Sequence, residues 1–245
     1  MIVNYPRMRR RTALPTDLAT ALEFSSPDPF IIYAPQNWDG TIEYSIGGEW
    51  QIWDGSDIAS GNLKDRYFIY LRGTGNTRIT LHDVEDDAWY IDGALVSCNG
   101  NIERLLDWEA VNRGEHPTMS KYCFAYMFWN CKALTSAPSL PATTLANGCY
   151  NNMFQGCTNL ATVPALPSTT LVSACYALMF SGCTEIKVSA TLSGTYTKAY
   201  RIPKTGTGTM AANSLNSMFA GTGGTFKGTP EINTTYYLDE SNTIV

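Results

Sequence analysis

Seven cysteines are the residues of this chain with the most chemistry to offer. A thiolate can attack an electrophile, hold zinc or exchange with a disulfide, and each use has its own spacing. Six of the seven fall in two columns, Cys123, Cys149, Cys175 and Cys131, Cys157, Cys183, with a step of 26 residues. No C-x-x-C pair occurs and neither histidine lies in the repeated units, so the zinc pattern is missing. Small apolar thiols in columns are what a repeated core uses; a disulfide between adjacent columns is the alternative. His116 stands beside Pro117 and is expected at the surface rather than in catalysis. Hydrolysis of a glycan needs two facing carboxyls, yet Glu185 is the only acid between Glu115 and Glu231. Asp83, Glu85, Asp86 and Asp87 make an acidic loop, expected as a solvated hairpin tip, without the turn glycine and closing glutamate of a calcium loop. Gly73-Thr74-Gly75 and Thr205-Gly206-Thr207-Gly208 match no P-loop, and Lys227 precedes Gly228, which reverses the Walker order. The expectation is a protein that is not an enzyme, with no cofactor and no metal.

The elements that position the thiols are three copies of one unit. They read Cys-Phe-Ala-Tyr-Met-Phe-Trp-Asn-Cys from Cys123, Cys-Tyr-Asn-Asn-Met-Phe-Gln-Gly-Cys from Cys149 and Cys-Tyr-Ala-Leu-Met-Phe-Ser-Gly-Cys from Cys175. Met127, Met153 and Met179 keep the same step, as do Leu134, Leu160 and Ile186. Self-similarity at this period marks a solenoid, whose coils bury their apolar faces against one another. Leu171, Cys175 and Met179 recur every fourth residue, which predicts a short helix ended by Gly182. A short strand should follow, irregular because of Pro138 and Pro164. Helices need ~10 Å of width and paired strands ~4.8 Å, so such coils should curve with strands on the inside. A worn fourth unit surrounds Met218 and Phe219, 39 residues past Met179, after an insertion of 13.

Three segments are expected along the chain. Residues 1–35 read as an N-terminal arm; Arg7, Arg9, Arg10 and Arg11 suit docking on an acidic patch of a partner, with a nucleic-acid arm the weaker alternative. Residues 36–99 alternate short apolar runs with Asp-Gly and Gly-Gly turns, which predicts a small, mainly β sandwich-like domain with its tryptophans in the core. Residues 100–245 hold the solenoid and a C-terminal cap; Ile102, Leu105 and Leu106 should make a helical turn over the first coil, and residues 234–237 a closing strand. Hydrophobic residues make up 44% and charged residues 16%, with a net charge of −5, which argues against wholesale nucleic-acid binding. No run of 18 apolar residues predicts a membrane span. The first residues lack the apolar stretch of a secretory signal, which fits a protein made in the cytoplasm and released by lysis.

Met153-Phe154-Gln155-Gly156-Cys157-Thr158-Asn159-Leu160 resembles the repeat of the BspA-like leucine-rich-repeat proteins. Trp38-Asp39-Gly40, residues 70–76 (Tyr-Leu-Arg-Gly-Thr-Gly-Asn), residues 100–106 and residues 221–230 extend the likeness to repeat-bearing proteins of gut bacteriophages and prophages. The resemblance implies an α/β leucine-rich-repeat solenoid after a β domain. It also implies a virion structural protein of fibre or decoration type, at the virion surface. Its partners would be capsid or tail proteins and a host surface protein or polysaccharide, and it could form a homo-oligomer. A bacterial surface adhesin of the same type is the alternative.

Overall fold

The computed structural model describes residues 18–81 and 87–245. The chain is mainly β. Strand β1 (Leu22–Ser26) buries alternate residues, as a strand with one covered face must. It lies inside a seven-stranded sheet with β3 (Thr41–Ser45), β4 (Gln51–Ile52), β6 (Gly61–Leu63), β7 (Arg66–Thr74), β9 (Val96–Asn99) and β10 (Leu134–Ser136). The order is β10-β9-β1-β7-β3-β4, with β6 also on β7. Neighbours are antiparallel except β10 and β9, which are parallel. A second, antiparallel sheet sets β2 (Phe30–Tyr33) between β5 (Ile58–Ala59) and β8 (Tyr90–Gly93). Residues 22–26 and 30–33 of the arm predicted over residues 1–35 are therefore strands of these two sheets. Leu22, Phe24, Phe30 and Ile32 are buried apolar residues that could not leave the core without large loss. Arg7, Arg9, Arg10 and Arg11 lie outside the described residues, as do Asp83, Glu85 and Asp86 of the acidic loop.

Strand β7 is buried on both sides. Ile69 and Leu71 join the main core, while Phe68 and Tyr70 pack with Ala21, Leu18 and Trp50 on the opposite face. Arg72 extends that second face. Its guanidinium lies 4.0 Å from the centre of the Trp50 ring and 4.3 Å from that of Trp108, and its Nε donates to Glu43 at 2.8 Å. A cation held between two aromatic faces ties the sheet to helix α1 (Arg104–Asn112). That helix kinks at Asp107, whose φ is −154°. The Asp107 carboxylate accepts the Ala110 N–H at 2.9 Å and so caps the second half.

The sandwich expected over 36–99 does not hold a core of its own. One continuous cluster runs from Leu22 to Leu238 through both sheets and all the repeated units. The junction is made by side chains, with Phe24 and Trp89 at 6.1 and 6.2 Å from Phe128. It is also made by backbone, through β9 and β10 and through Trp89 N–H to the Met127 carbonyl at 2.7 Å.

The repeated units contain no helix. Each is a string of tight turns, and the helix expected from the every-fourth-residue pattern is corrected by where its amides point. Met127 N–H donates to Phe124 O and Cys131 N–H to Phe128 O, closing successive turns. The residue before each of these donors, Tyr126 and Asn130, has a positive φ of 60° and 55°. The second and third strings repeat this at Gly148, Asn152, Gly156 and at Ala174, Leu178, Gly182; the fourth does so at Asn213, Ser217 and Gly221. A left-handed residue every fourth position ends any α-helix but suits the third place of a turn. The even-numbered amides are thereby free to reach the next string. Phe124, Tyr126 and Phe128 donate to Cys149, Asn151 and Met153 at 2.8, 3.0 and 2.9 Å; Tyr150, Asn152 and Phe154 donate to Cys175, Ala177 and Met179 at 3.0, 3.0 and 3.1 Å. An α-helix would have used those donors internally.

The short strands that follow the strings are irregular. β11 (Thr162–Val163), β12 (Thr170–Leu171) and β13 (Val188–Ser189) are two residues long, and the Pro138 and Pro164 positions lie just beyond β10 and β11. They pair not with one another but with later segments. β17 (Thr243–Ile244) joins β11, β15 (Thr209–Met210) joins β12, and β16 (Thr235–Asp239) lies between β13 and β14 (Tyr196–Arg201). In the fourth unit Ser214 and Thr222 replace the cysteines and stay buried. Their hydroxyls donate to Val172 O and Phe219 O, both at 2.9 Å.

Candidate functional site

The structure places Cys123, Cys131, Cys149, Cys157, Cys175 and Cys183 in the core as free thiols, 4% exposed at most. Met127, Met153 and Met179 lie between them, fully buried. The alternative of a disulfide between columns is not realised. Cys157 and Cys183 point their Sγ at the Phe128 and Phe154 carbonyls, at 2.9 and 3.0 Å. Each thiol thus donates across to the previous string, which only the protonated form can do. Burial pushes every one of them upward, Cys131 to about 11 and Cys175 to about 12. A thiol held neutral and away from solvent is no nucleophile at ordinary pH. Among the described residues no group of three His, Cys, Asp or Glu is set to hold a metal ion.

Beside the sulfur columns run two columns of rings. Phe124, Tyr150 and Tyr176 stack at 5.6 and 5.7 Å; Phe128, Phe154, Phe180 and Phe219 stack at 5.7 to 5.8 Å, with planes 12° apart or less. The Tyr150 and Tyr176 hydroxyls are buried without a hydrogen-bond partner among the described residues. That is an expense of placing a phenol where the first string has a phenylalanine.

His116 does more than stand at the surface. Its Nδ1 is 2.8 Å from Oε2 of Glu103, whose side chain is 1% exposed, against 41% for the imidazole. Burial raises the Glu103 carboxyl above its usual range, and the bond to His116 opposes that. The pair pins the loop after α1 to the buried turn before it. The nearby thiol of Cys123 is sealed and makes no bond to either, so no nucleophile, base and orienter come together here. Two glycine-rich motifs also prove structural. Asn76, 3% exposed, accepts the Gly40 N–H at 2.6 Å and donates from Nδ2 to Thr41 O and Leu105 O at 2.8 and 2.9 Å. Asp39 accepts the Thr77 and Arg78 amides at 2.8 and 3.1 Å. Partial burial works against its charge, and these bonds outweigh it, holding the carboxyl below its ordinary value.

Among the described residues, the outer face of the β5-β2-β8 sheet is half to fully exposed. Phe30, Ile32, Ile58 and Ile91 point inward and are buried. Alternation therefore turns Ile31 and Tyr33 of β2, and Tyr90 and Asp92 of β8, the other way. Tyr33 and Tyr90 are direct cross-strand partners, with ring centres 5.7 Å apart and planes tilted by 50°. Tyr90 is 60% exposed and Leu95 beside β8 is 55% exposed. Asp57, just before β5, completes the face with Asp92. Partial desolvation, then the charges of these two carboxylates, raise the Tyr33 phenol above its usual value. Among the described residues no cation pairs with either acid. Sequence reasoning missed this face because its two rings are far apart in the chain and meet only through strand register. Among the described residues no helix is long and apolar enough to cross a membrane. Comparison with models of protein families, with curated proteins and with solved structures finds no match.

Proposed function

We propose that this protein is a non-catalytic contact module of a virion surface, of fibre or decoration type, which binds a host surface polysaccharide or protein. The observation that carries the contact role is the exposed Tyr33–Tyr90 face, whose carboxylates meet no cation among the described residues, set on a framework whose thiols are sealed. The virion setting rests on the likeness of residues 100–106, of the Met-Phe-x-Gly-Cys-Thr unit and of residues 221–230 to phage and prophage proteins. We also take the four turn strings with their short strands as leucine-rich-repeat coils of BspA-like type, in which turns stand where a helix is usual. The 26-residue step and the string-to-string ladder support that assignment. Mass spectrometry and antibody labelling of purified particles from a producing culture test the setting. Finding the chain on particles supports it; finding it instead on uninduced cells overturns it in favour of a cellular adhesin.

A further inference from the structure

The Tyr33–Tyr90 face, exposed among the described residues, has a composition that selects among ligands, and this inference deepens the contact role by naming a ligand class. Tyr33 and Tyr90 present two ring faces set at an angle, with the half-buried Ile31 on the same face of β2. Such rings attract the C–H faces of sugars and any nearby cation, because the ring face is both apolar and electron-rich. Asp57 and Asp92 add negative charge, felt at the Tyr33 phenol itself. Ionised carboxylates only accept hydrogen bonds. The partner must therefore bring N–H or O–H donors, preferably charged ones, together with apolar surface. An anionic glycan would meet repulsion from both acids. A quaternary ammonium would satisfy the rings but bring no donor of its own to the carboxylates, of which Asp92 holds only the Gly93 N–H among the described residues.

We propose that this face binds a polysaccharide of amino sugars that carries free ammonium groups. The sugar rings lie on Tyr33 and Tyr90, and the ammonium and hydroxyl groups donate to Asp57 and Asp92. The platform is a paired sheet rather than a loop, so both rings are held in place before the ligand arrives, which lowers the ordering penalty of binding.

The test is calorimetric titration of the full chain, in mildly acidic buffer of low ionic strength, with a β-1,4-linked hexamer of glucosamine. The N-acetylated hexamer and choline chloride are run in parallel. Binding is expected for the free-amine hexamer, weaker by about tenfold when Tyr90→Ala removes the exposed ring. Asp57→Asn with Asp92→Asn should abolish the preference over the N-acetylated hexamer, with binding that no longer responds to salt. All three positions are at the surface, so thermal melting should be unchanged. No binding of the free-amine hexamer overturns the proposal, as does equal affinity for the N-acetylated form, binding of choline alone, or indifference to Tyr90→Ala. Should the chain be found on particles that still adhere to host cells while glucosamine hexamer fails to bind, the contact role survives and the ligand class alone falls.

Discussion

The two halves of this molecule build their cores in opposite ways. In the sheet half, Trp38, Trp53 and Trp89 meet at 5.2 Å with planes 28° and 89° apart, each contact unlike the next. In the repeated half, Phe128, Phe154, Phe180 and Phe219 meet at nearly one distance and one angle. The first is a jigsaw, in which every piece has its own neighbours. The second is a column, in which every inner piece has the same two. The longer column is closed at each end by rings that stand across it. Trp89 stands edge-on to Phe128 at one end, and Tyr200 and Phe226 stand edge-on to Phe219 at the other. Identical rings can stack only as far as something different covers the last one.

That contrast can be broken most forcefully at Phe154, one of the two inner rings of the longer column. Phe154→Ala removes both stacking partners at once and should destabilise by about 3–5 kcal/mol in urea unfolding. Phe226→Ala, at the partly exposed end, should cost about 1–2 kcal/mol. Equal losses would show that position in the column does not matter.

Glycines sharpen the comparison next. In β7, a Cβ at Gly73 would sit 1.7 Å from the Leu105 carbonyl oxygen, a backbone atom that cannot swing away. Gly73→Ala should cost about 3 kcal/mol or more. In the third string, Gly182 has a φ of +76° and nothing nearer than 3.6 Å. Gly182→Ala meets only the strain of a left-handed alanine, about 1–2 kcal/mol by the same unfolding measurement. At these two positions glycine serves different ends, room in β7 and handedness in the third string.

Smaller effects separate the two ring columns. Tyr150→Phe restores the ring that the first string carries and removes a buried hydroxyl without a partner. It should stabilise by about 1 kcal/mol, seen as a higher unfolding midpoint. The least change concerns pH. Glu103 has a folded pKa raised by burial. The stability its neutral form contributes is complete below the unfolded value of about 4.3 and is lost as pH rises through the folded value. Glu103→Gln should flatten that fall, measured as unfolding free energy from about pH 4 upward.

Much of the repeated half was legible in the sequence, because a column of identical residues is written as a period. The burial of cysteine, methionine and phenylalanine follows from spacing alone. The backbone did not follow. A helix and a string of four-residue turns both bring every fourth side chain to one face, so Leu171, Cys175 and Met179 fit either. Only the left-handed positions tell them apart, and Tyr122, Tyr126 and Leu178 occupy such positions without being glycine. In the sheet half the alternation around Ile42 and Tyr44 marked strand β3. Leu22-Glu23-Phe24 carried the same alternation inside a stretch assigned to an arm, and pattern alone cannot say that its buried side meets Phe128. The Tyr33–Tyr90 face was illegible for the same reason, since register between strands is set by the whole sheet.

The ladder between strings has terminators at both ends. Ile79 and Thr80 donate to the Cys123 carbonyl at 2.8 and 3.2 Å, and Phe219 donates to Gly228 O at 3.0 Å. A block inserted between the terminators would find the same donors and acceptors waiting on either side. Deleting or duplicating one 26-residue block would therefore shorten or lengthen the body by about 4.8 Å, the spacing of adjacent paired chains. Gene duplication could thus change this protein's reach in fixed increments, like links in a chain whose clasps stay the same.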